Sequence, residues 1–218
     1  MTRPSDTVCL PLVCVIDDDF AICRSMDNLL RSSGFAVKTF SRPCEFLADN
    51  GRADASCLIL DVQLKGANGL DFQQELRDVD ASLPVILLSG HGDVAMTVRG
   101  MKAGAVTFLA KPCDDRQMID AVEEAVSLDR SRKVARHKSD GLRGLYETLS
   151  RRERQVMALV TAGLLNKQVA ARLGLSEITV KIHRGNLMRK MGVPSLAELV
   201  MHANTLGVRE ANAGRFMT

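Results

Sequence analysis

The sequence predicts two folded parts in succession: a doubly wound α/β domain built on a five-stranded parallel sheet, then an all-α domain of four short helices. Three observations predict it. Short aliphatic and β-branched runs, buried-strand material, alternate with amphipathic stretches up to residue 126. From residue 150 on, the pattern is helical only, punctuated by capping residues and glycines. The charge also changes sign between the parts. Residues 1–126 hold 12 Lys/Arg against 19 Asp/Glu, a net of −7, whereas residues 127–218 hold 17 against 7, a net of +10. An acidic half joined to a basic half suggests metal or phosphate chemistry followed by a polyanion binder.

Each element of the first part has a local cause. Residues 13–16 form a strand that stops at Asp17-Asp18-Asp19. Asp19 is an expected N-cap, after which Ile22, Met26, Leu29 and Leu30 share one helical face and Gly34 supplies the stop. Residues 35–40 read as the second strand, and Ser41-Arg42-Pro43 gives a short helix a cap-like start. The third strand, 58–60, ends at Asp61, and the loop Lys65-Gly66-Ala67-Asn68-Gly69 leads into a helix from Leu70. The fourth strand, 85–88, ends at Ser89, with Val94, Val98 and Met101 marking the next helix. The fifth, 106–109, runs to Lys111-Pro112, and Met118, Ile119, Val122 and Val126 line the helix that follows. These elements assign residues 8–126 to the first domain.

Residues 127–145 read as a linker. Arg130, Arg132, Lys133, Arg136 and Lys138 form a basic run that can extend the preceding helix, and Gly141 and Gly144 loosen the backbone. Residues 146–207 form the second domain and 208–218 a tail. Ser150 with Glu153, and Ser195 with Glu198, have capping-box spacing. Asn166 and Ser176 are expected N-caps, and Gly163, Gly174 and Gly192 are expected stops, with Pro194 blocking continuation. The helices fall near 151–162, 167–173, 177–191 and 196–206.

Composition narrows the function classes. No apolar stretch approaches the roughly 20 residues that span a bilayer, and the start lacks the apolar segment of a signal peptide. The expectation is a cytoplasmic protein with no membrane partner. The six cysteines show no C-x-x-C pair and sit mostly in apolar runs, so small core residues are expected rather than a zinc site or a disulfide framework. After residue 127 the aromatics are Tyr146 and Phe216, too few for a base-stacking platform, which favours duplex DNA over RNA or single strands.

In an open parallel sheet, functional groups gather at the carboxyl ends of the strands. Here that edge receives Asp17, Asp18, Asp61, Ser89 and Lys111 from four separate stretches. Clustered carboxylates are unfavourable unless a cation neutralises them, and Mg2+ suits a site of few carboxylates plus water. The ordered set resembles the receiver domain of bacterial two-component response regulators, which implies a flavodoxin-like strand order. The resemblance implies that Asp17 and Asp18 hold Mg2+ with Asp61 and the backbone carbonyl of Gln63, and that Asp61 accepts the phosphoryl group. It further implies that Ser89 and Lys111 bond phosphoryl oxygens, that Lys111-Pro112 is cis, and that Ser89 and Phe108 form a switch. Lys65 departs from the family's usual proline and Cys113 from its phenylalanine, while Gln63 stands at a variable position.

The stretch Asn166-Lys167-Gln168-Val169-Ala170-Ala171-Arg172-Leu173-Gly174-Leu175-Ser176, with the helix after it, reads as a helix-turn-helix whose second helix enters the major groove. Residues 149–200 resemble the effector domain of the NarL/FixJ (LuxR-type) regulators, through Ser150-Arg151-Arg152-Glu153-Arg154, Asn166-Lys167, Ser176 and Thr179-Val180-Lys181-Ile182-His183. Val180, Leu187 and Met191 should pack on the scaffold, with Lys181, Ile182, Arg184 and Gly185 towards the other side. The resemblance implies base contact around Lys181, Ile182 and Gly185 and phosphate contact from Asn166, Lys167, Ser176 and Thr179. The whole then implies a transcription regulator, not an enzyme, whose partners are a sensor histidine kinase, promoter DNA, a second copy on phosphorylation, and RNA polymerase. An alternative is a phosphatase of the haloacid dehalogenase class, using Asp17, Asp19, Ser89, Lys111 and Asp114-Asp115; it leaves Asp61 and the basic half without a role.

Overall fold

A computed structural model describes residues 10–80, 82–90 and 94–208. The chain's start, Cys9, and nearly all of the expected 208–218 tail with Phe216 lie outside the described residues. The chain divides into two compact units at Lys133/Val134.

In the first unit, five parallel strands, β1 (Leu12–Ile16), β2 (Ala36–Phe40), β3 (Ala55–Asp61), β4 (Val85–Ser89) and β5 (Thr107–Ala110), form a sheet ordered β2-β1-β3-β4-β5. The helices are α1 (Phe20–Ser32), α2 (Pro43–Ala48), α3 (Gly69–Val79), α4 (Val94–Lys102) and α5 (Asp115–Glu147). The doubly wound fold is therefore as predicted. Strand alternation builds a core on each face. Val13, Val15, Ile59, Ile86 and Leu88 pack with Leu30 of α1 and Met118, Val122 and Ala125 of α5. Cys14, Ile16, Leu58, Leu60 and Leu87 pack with Phe46 of α2 and Leu70, Phe72 and Leu76 of α3.

Local chemistry sets the boundaries. Asp19 caps α1 by accepting from the Ala21 amide at 2.8 Å, and Gly34 takes a left-handed φ of +89° after it. The short α2 has Arg42 at its N-cap with no side-chain bond, so the Ser41-Arg42-Pro43 start is not a side-chain cap; Ser41 instead donates its amide to Glu45 at 3.0 Å. Of the described cysteines, Cys14, Cys23 and Cys57 are core residues, but Cys44 is exposed on α2.

Helix α5 continues through Gly141 and Gly144 to Glu147, where the sequence suggests a loosened backbone. Each helical glycine costs about 1 kcal/mol relative to alanine. The surrounding Ala, Arg, Lys and Leu favour helix, and Leu142 is buried.

The second unit contains the end of α5 and four helices, α6 (Arg151–Thr161), α7 (Asn166–Leu173), α8 (Glu177–Lys190) and α9 (Leu196–Leu206). Ser150 and Glu153 form the full predicted capping box, whereas Ser195 accepts from the Glu198 amide and donates its hydroxyl to the Glu198 carboxylate at 3.0 Å, a side-chain N-cap in place of the reciprocal box. Asn166 is not the cap of α7. Leu165 occupies that position, and Gln168 accepts from its amide at 2.8 Å, which leaves Asn166 as the first helical residue. Val156, Val169, Val180, Leu187 and Leu199 are fully enclosed in one core. Burying each such side chain contributes roughly 1.5–3 kcal/mol. Glu153 is also buried; burial pushes its carboxyl up, but bonds from Lys190 (2.8 Å) and Ser150 outweigh this and hold it below its ordinary value.

Candidate functional site

Strand register delivers the predicted groups to one edge. Asp61, the last residue of β3, pairs with Leu88, while Ser89 at the end of β4 pairs with Ala110 of β5. The Lys111 amide donates to the Ser89 carbonyl at 2.7 Å, and the Asp17 amide to the Phe40 carbonyl at 3.1 Å. The Lys111-Pro112 bond is cis.

Lys111 Nζ is bonded to Asp17 Oδ2 and, at 2.8 Å, to Asp61 Oδ2. The remaining oxygens are engaged by backbone. Asp17 Oδ1 accepts from the Asp19 amide at 2.9 Å, and Asp61 Oδ1 from the Gln63 amide at 3.0 Å. Asp17 is 1 % exposed and Asp61 6 %. Burial pushes the Asp17 carboxyl up from its ordinary value against the lowering effect of Lys111. For Lys111, burial acts downward, but its bonds to Asp17 and Asp61 prevail and raise it. The ammonium therefore stays charged, a fixed cation between two carboxylates.

Asp18 lies outside this pairing and bonds Lys65 Nζ at 3.0 Å, which holds its carboxyl below the ordinary value. One ligand oxygen from each of Asp17, Asp18 and Asp61 lies within 4.8 Å of the others. A set of hard oxygen donors that close fits a divalent cation such as Mg2+. Ser89 is completely buried at the same edge, and Phe108 is half-buried against the core below it.

Sequence reading missed Gly69. Its Cα approaches so closely that an added Cβ would lie 2.1 Å from the Asp61 carbonyl oxygen and 2.9 Å from Val62 Cα. A glycine beside Asn68, which caps α3, reads as ordinary turn chemistry, so its only sequence signal is its place just before Leu70. Gly69→Ala should cost about 1 kcal/mol or more through overpacking against backbone. Thermal denaturation of this variant checks the cost, and an unchanged midpoint would contradict the close approach.

In the second unit, Gly174 takes φ +66° at the end of α7, and Ser176 caps α8 by accepting from Thr179 at 3.1 Å. Val180, Leu187 and Met191 are buried as predicted. Lys181, Ile182 and Gly185 are exposed or half-exposed on the opposite side, Ile182 at 57 %. Ile178, 74 % exposed, joins them one turn before Ile182; the i, i+4 pair of isoleucines was its unread signal. Arg184 differs from the expectation: it is half-buried beside the scaffold stripe and donates to Asn166 Oδ1 at 3.3 Å, tying α8 to α7. Lys167 and Ser176 are exposed, and Asn166 and Thr179 are half-buried.

Comparison with known proteins agrees with both halves. Residues 13–123 match the family model "Response regulator receiver domain", and residues 147–203 match "Bacterial regulatory proteins, luxR family". The chain is 50 % identical over 197 residues to nodulation protein W of Bradyrhizobium diazoefficiens, covering 90 % of this chain and 87 % of that one. It is 41 % identical over 200 residues to the transcriptional regulatory protein FixJ of Azorhizobium caulinodans, covering 91 % and 94 %. Among solved structures, the response regulator StyR aligns with TM-score 0.77 at 41 % identity, covering 89 % of this chain and 98 % of that one. With a receiver edge in one unit and a helix-turn-helix in the other, the chain belongs to the response regulators that join a receiver domain to a LuxR-type DNA-binding domain, and it is a phospho-accepting transcription factor of that family.

Proposed function

We propose that Asp61 is the phosphoryl acceptor and that a sensor histidine kinase is the donor. The observation that carries this reading is the Lys111 ammonium held between Asp17 and Asp61 beside a third carboxylate. An Asp61 oxygen attacks phosphorus, the O–P bond forms as the donor's N–P bond breaks, and the imidazole departs. Lys111 already lies on Asp61 and shifts its bond to the phosphoryl oxygens as negative charge moves there. The Ser89 hydroxyl bonds a second phosphoryl oxygen, and Phe108 moves inward as Ser89 is drawn to the phosphate. Asp17, Asp18, Asp61 and the Gln63 carbonyl would hold Mg2+, which supplies charge neutralisation between the carboxylates and the phosphoryl group. The chain's chemistry ends with its own phosphorylation and dephosphorylation, so it is not otherwise an enzyme.

Downstream, the exposed apolar residues Val94, Val98 and Met101 along α4 support assigning that face to a homodimer formed on phosphorylation. A symmetric pair suits a palindromic operator in duplex promoter DNA. Lys181, Ile182 and Gly185 read bases, with Arg184 positioned by Asn166, while Lys167, Ser176, Thr179 and Asn166 lie along phosphates. RNA polymerase is the further partner. The place of action in this proposal is the cytoplasm; no described helix is long and apolar enough to cross a membrane.

Incubation with acetyl phosphate tests the reading. A phosphoryl adduct should form with Mg2+ and disappear with EDTA, as read by intact-protein mass spectrometry. An adduct that forms equally well in EDTA would remove the cation from the proposal.

A further inference from the structure

We propose that Lys65 is a tethered competitor for the divalent cation at Asp18, and so sets the cation concentration at which the receiver becomes competent. The inference rests on the cation site assigned above. Of the three clustered carboxylates, Asp17 and Asp61 share Lys111, a cation that belongs to the phosphoryl chemistry. Asp18 is bonded instead by Lys65, at 3.0 Å. The same carboxylate thus serves two cations of different kinds, one carried by the chain and one from solution.

The local backbone keeps Lys65 in range. Gln63 pairs with Asn68 and Leu64 with Ala67 in a small antiparallel hairpin, which leaves Lys65-Gly66 as its two-residue turn. Gly66 has φ +81°, the value a type II turn requires at its third position, and Lys65 occupies the second. The hairpin is anchored at both ends of the site. The Gln63 amide donates to Asp61 Oδ1, and the Gly69 amide to the Val62 carbonyl at 2.9 Å. Lys65 therefore cannot drift from Asp18 by more than its own side chain allows.

The pairing is built to yield. The Lys65 side chain is 87 % exposed and that of Asp18 18 % exposed, so water screens the pair and compensates the ammonium when it leaves. A compact divalent ion shared by three carboxylates gains more than one exposed contact. Mg2+ entry thus displaces Lys65 rather than being blocked by it, at reduced apparent affinity. The displaced ammonium stays close and repels the bound cation, an effect that salt weakens.

Isothermal titration of Mg2+ into the unphosphorylated full chain tests this without reference to phosphorylation. Lys65→Gln should bind Mg2+ about two- to fivefold more tightly than wild type, the range expected for an exposed ion pair. Lys65→Arg, which keeps the charge, should bind as wild type does, and the gap should narrow at high sodium chloride. Asp18→Asn should weaken binding, and Lys65→Gln added to it should gain less than it gains in the wild-type chain, because only the residual repulsion remains to be removed. Unchanged or weaker binding in Lys65→Gln, with Asp18→Asn still weakened, overturns the role of Lys65 and leaves the site standing. Undiminished Mg2+ binding in Asp18→Asn overturns the site and this inference together.

Discussion

Asp61→Asn should carry no phosphoryl adduct under conditions that modify the wild-type chain fully, as read by intact-protein mass. The substitution replaces the oxygen proposed as nucleophile by an amide of nearly the same shape, so loss of chemistry is separable from loss of fold. The Gln63 amide keeps an acceptor if the oxygen of the new carboxamide takes the Asp61 Oδ1 position, and Lys111 keeps its bond to Asp17. Asp17→Asn should behave differently. It removes one partner of Lys111 and one cation ligand but leaves the acceptor in place, so the adduct should form slowly rather than vanish. An undiminished adduct in Asp61→Asn would move the acceptor to another carboxylate, and Asp17 and Asp18 are near enough to be tested in the same way.

Much of this site was legible because strand periodicity and chemistry coincide. Runs such as Leu58-Ile59-Leu60 read as strands buried on both faces, and each leads to a polar residue at the sheet edge, at once after 13–16, 58–60 and 85–88 and one residue later, at Lys111, after 106–109. What stayed hidden was distance. That Lys111 bonds both Asp17 and Asp61 depends on parallel register across four strands, β1, β3, β4 and β5, which no local pattern encodes. The close approach of Gly69 to the Asp61 carbonyl is likewise a tertiary fact, because a glycine beside a capping Asn has a sufficient local explanation. Lys65 stood out as an unusual residue, but its partner was set by the hairpin turn rather than by sequence spacing.

The helical half was read from its punctuation, and its errors have local causes. Asn is a preferred cap, yet at Asn166 the chain has already turned helical, with Gln168 bonding the Leu165 amide in the cap's place. Arg184 looked free on the reading face because helical periodicity gives direction and not reach; its long side chain turns back to Asn166. The continuation of α5 past Gly141 and Gly144 shows two unfavourable residues outweighed by their helix-forming neighbours.

The exposed face of α8 leads to a separation of roles on DNA. Lys181 is exposed opposite the buried stripe of Val180 and Leu187, beside Ile178 and Ile182, where a groove-bound helix presents side chains to base edges. Lys167 lies in the first turn of α7, a helix start suited to phosphate. On a duplex selected from a random-sequence pool by the phosphorylated protein, Lys181→Ala should lose about 1–3 kcal/mol of discrimination against random DNA, the size of one good base contact. Its binding to random duplex should change little. Lys167→Ala should instead weaken binding to both duplexes alike and make the salt dependence shallower by about one counterion. Arg184→Ala should resemble neither. It frees the Asn166 side chain and loosens α8 on α7, so part of its loss should appear as a lower melting temperature of the protein without DNA. Binding isotherms over a salt series on both duplexes separate the three patterns. Equal losses on selected and random DNA for Lys181→Ala would make it a phosphate contact and shift base reading to Ile178, Ile182 and the surface at Gly185.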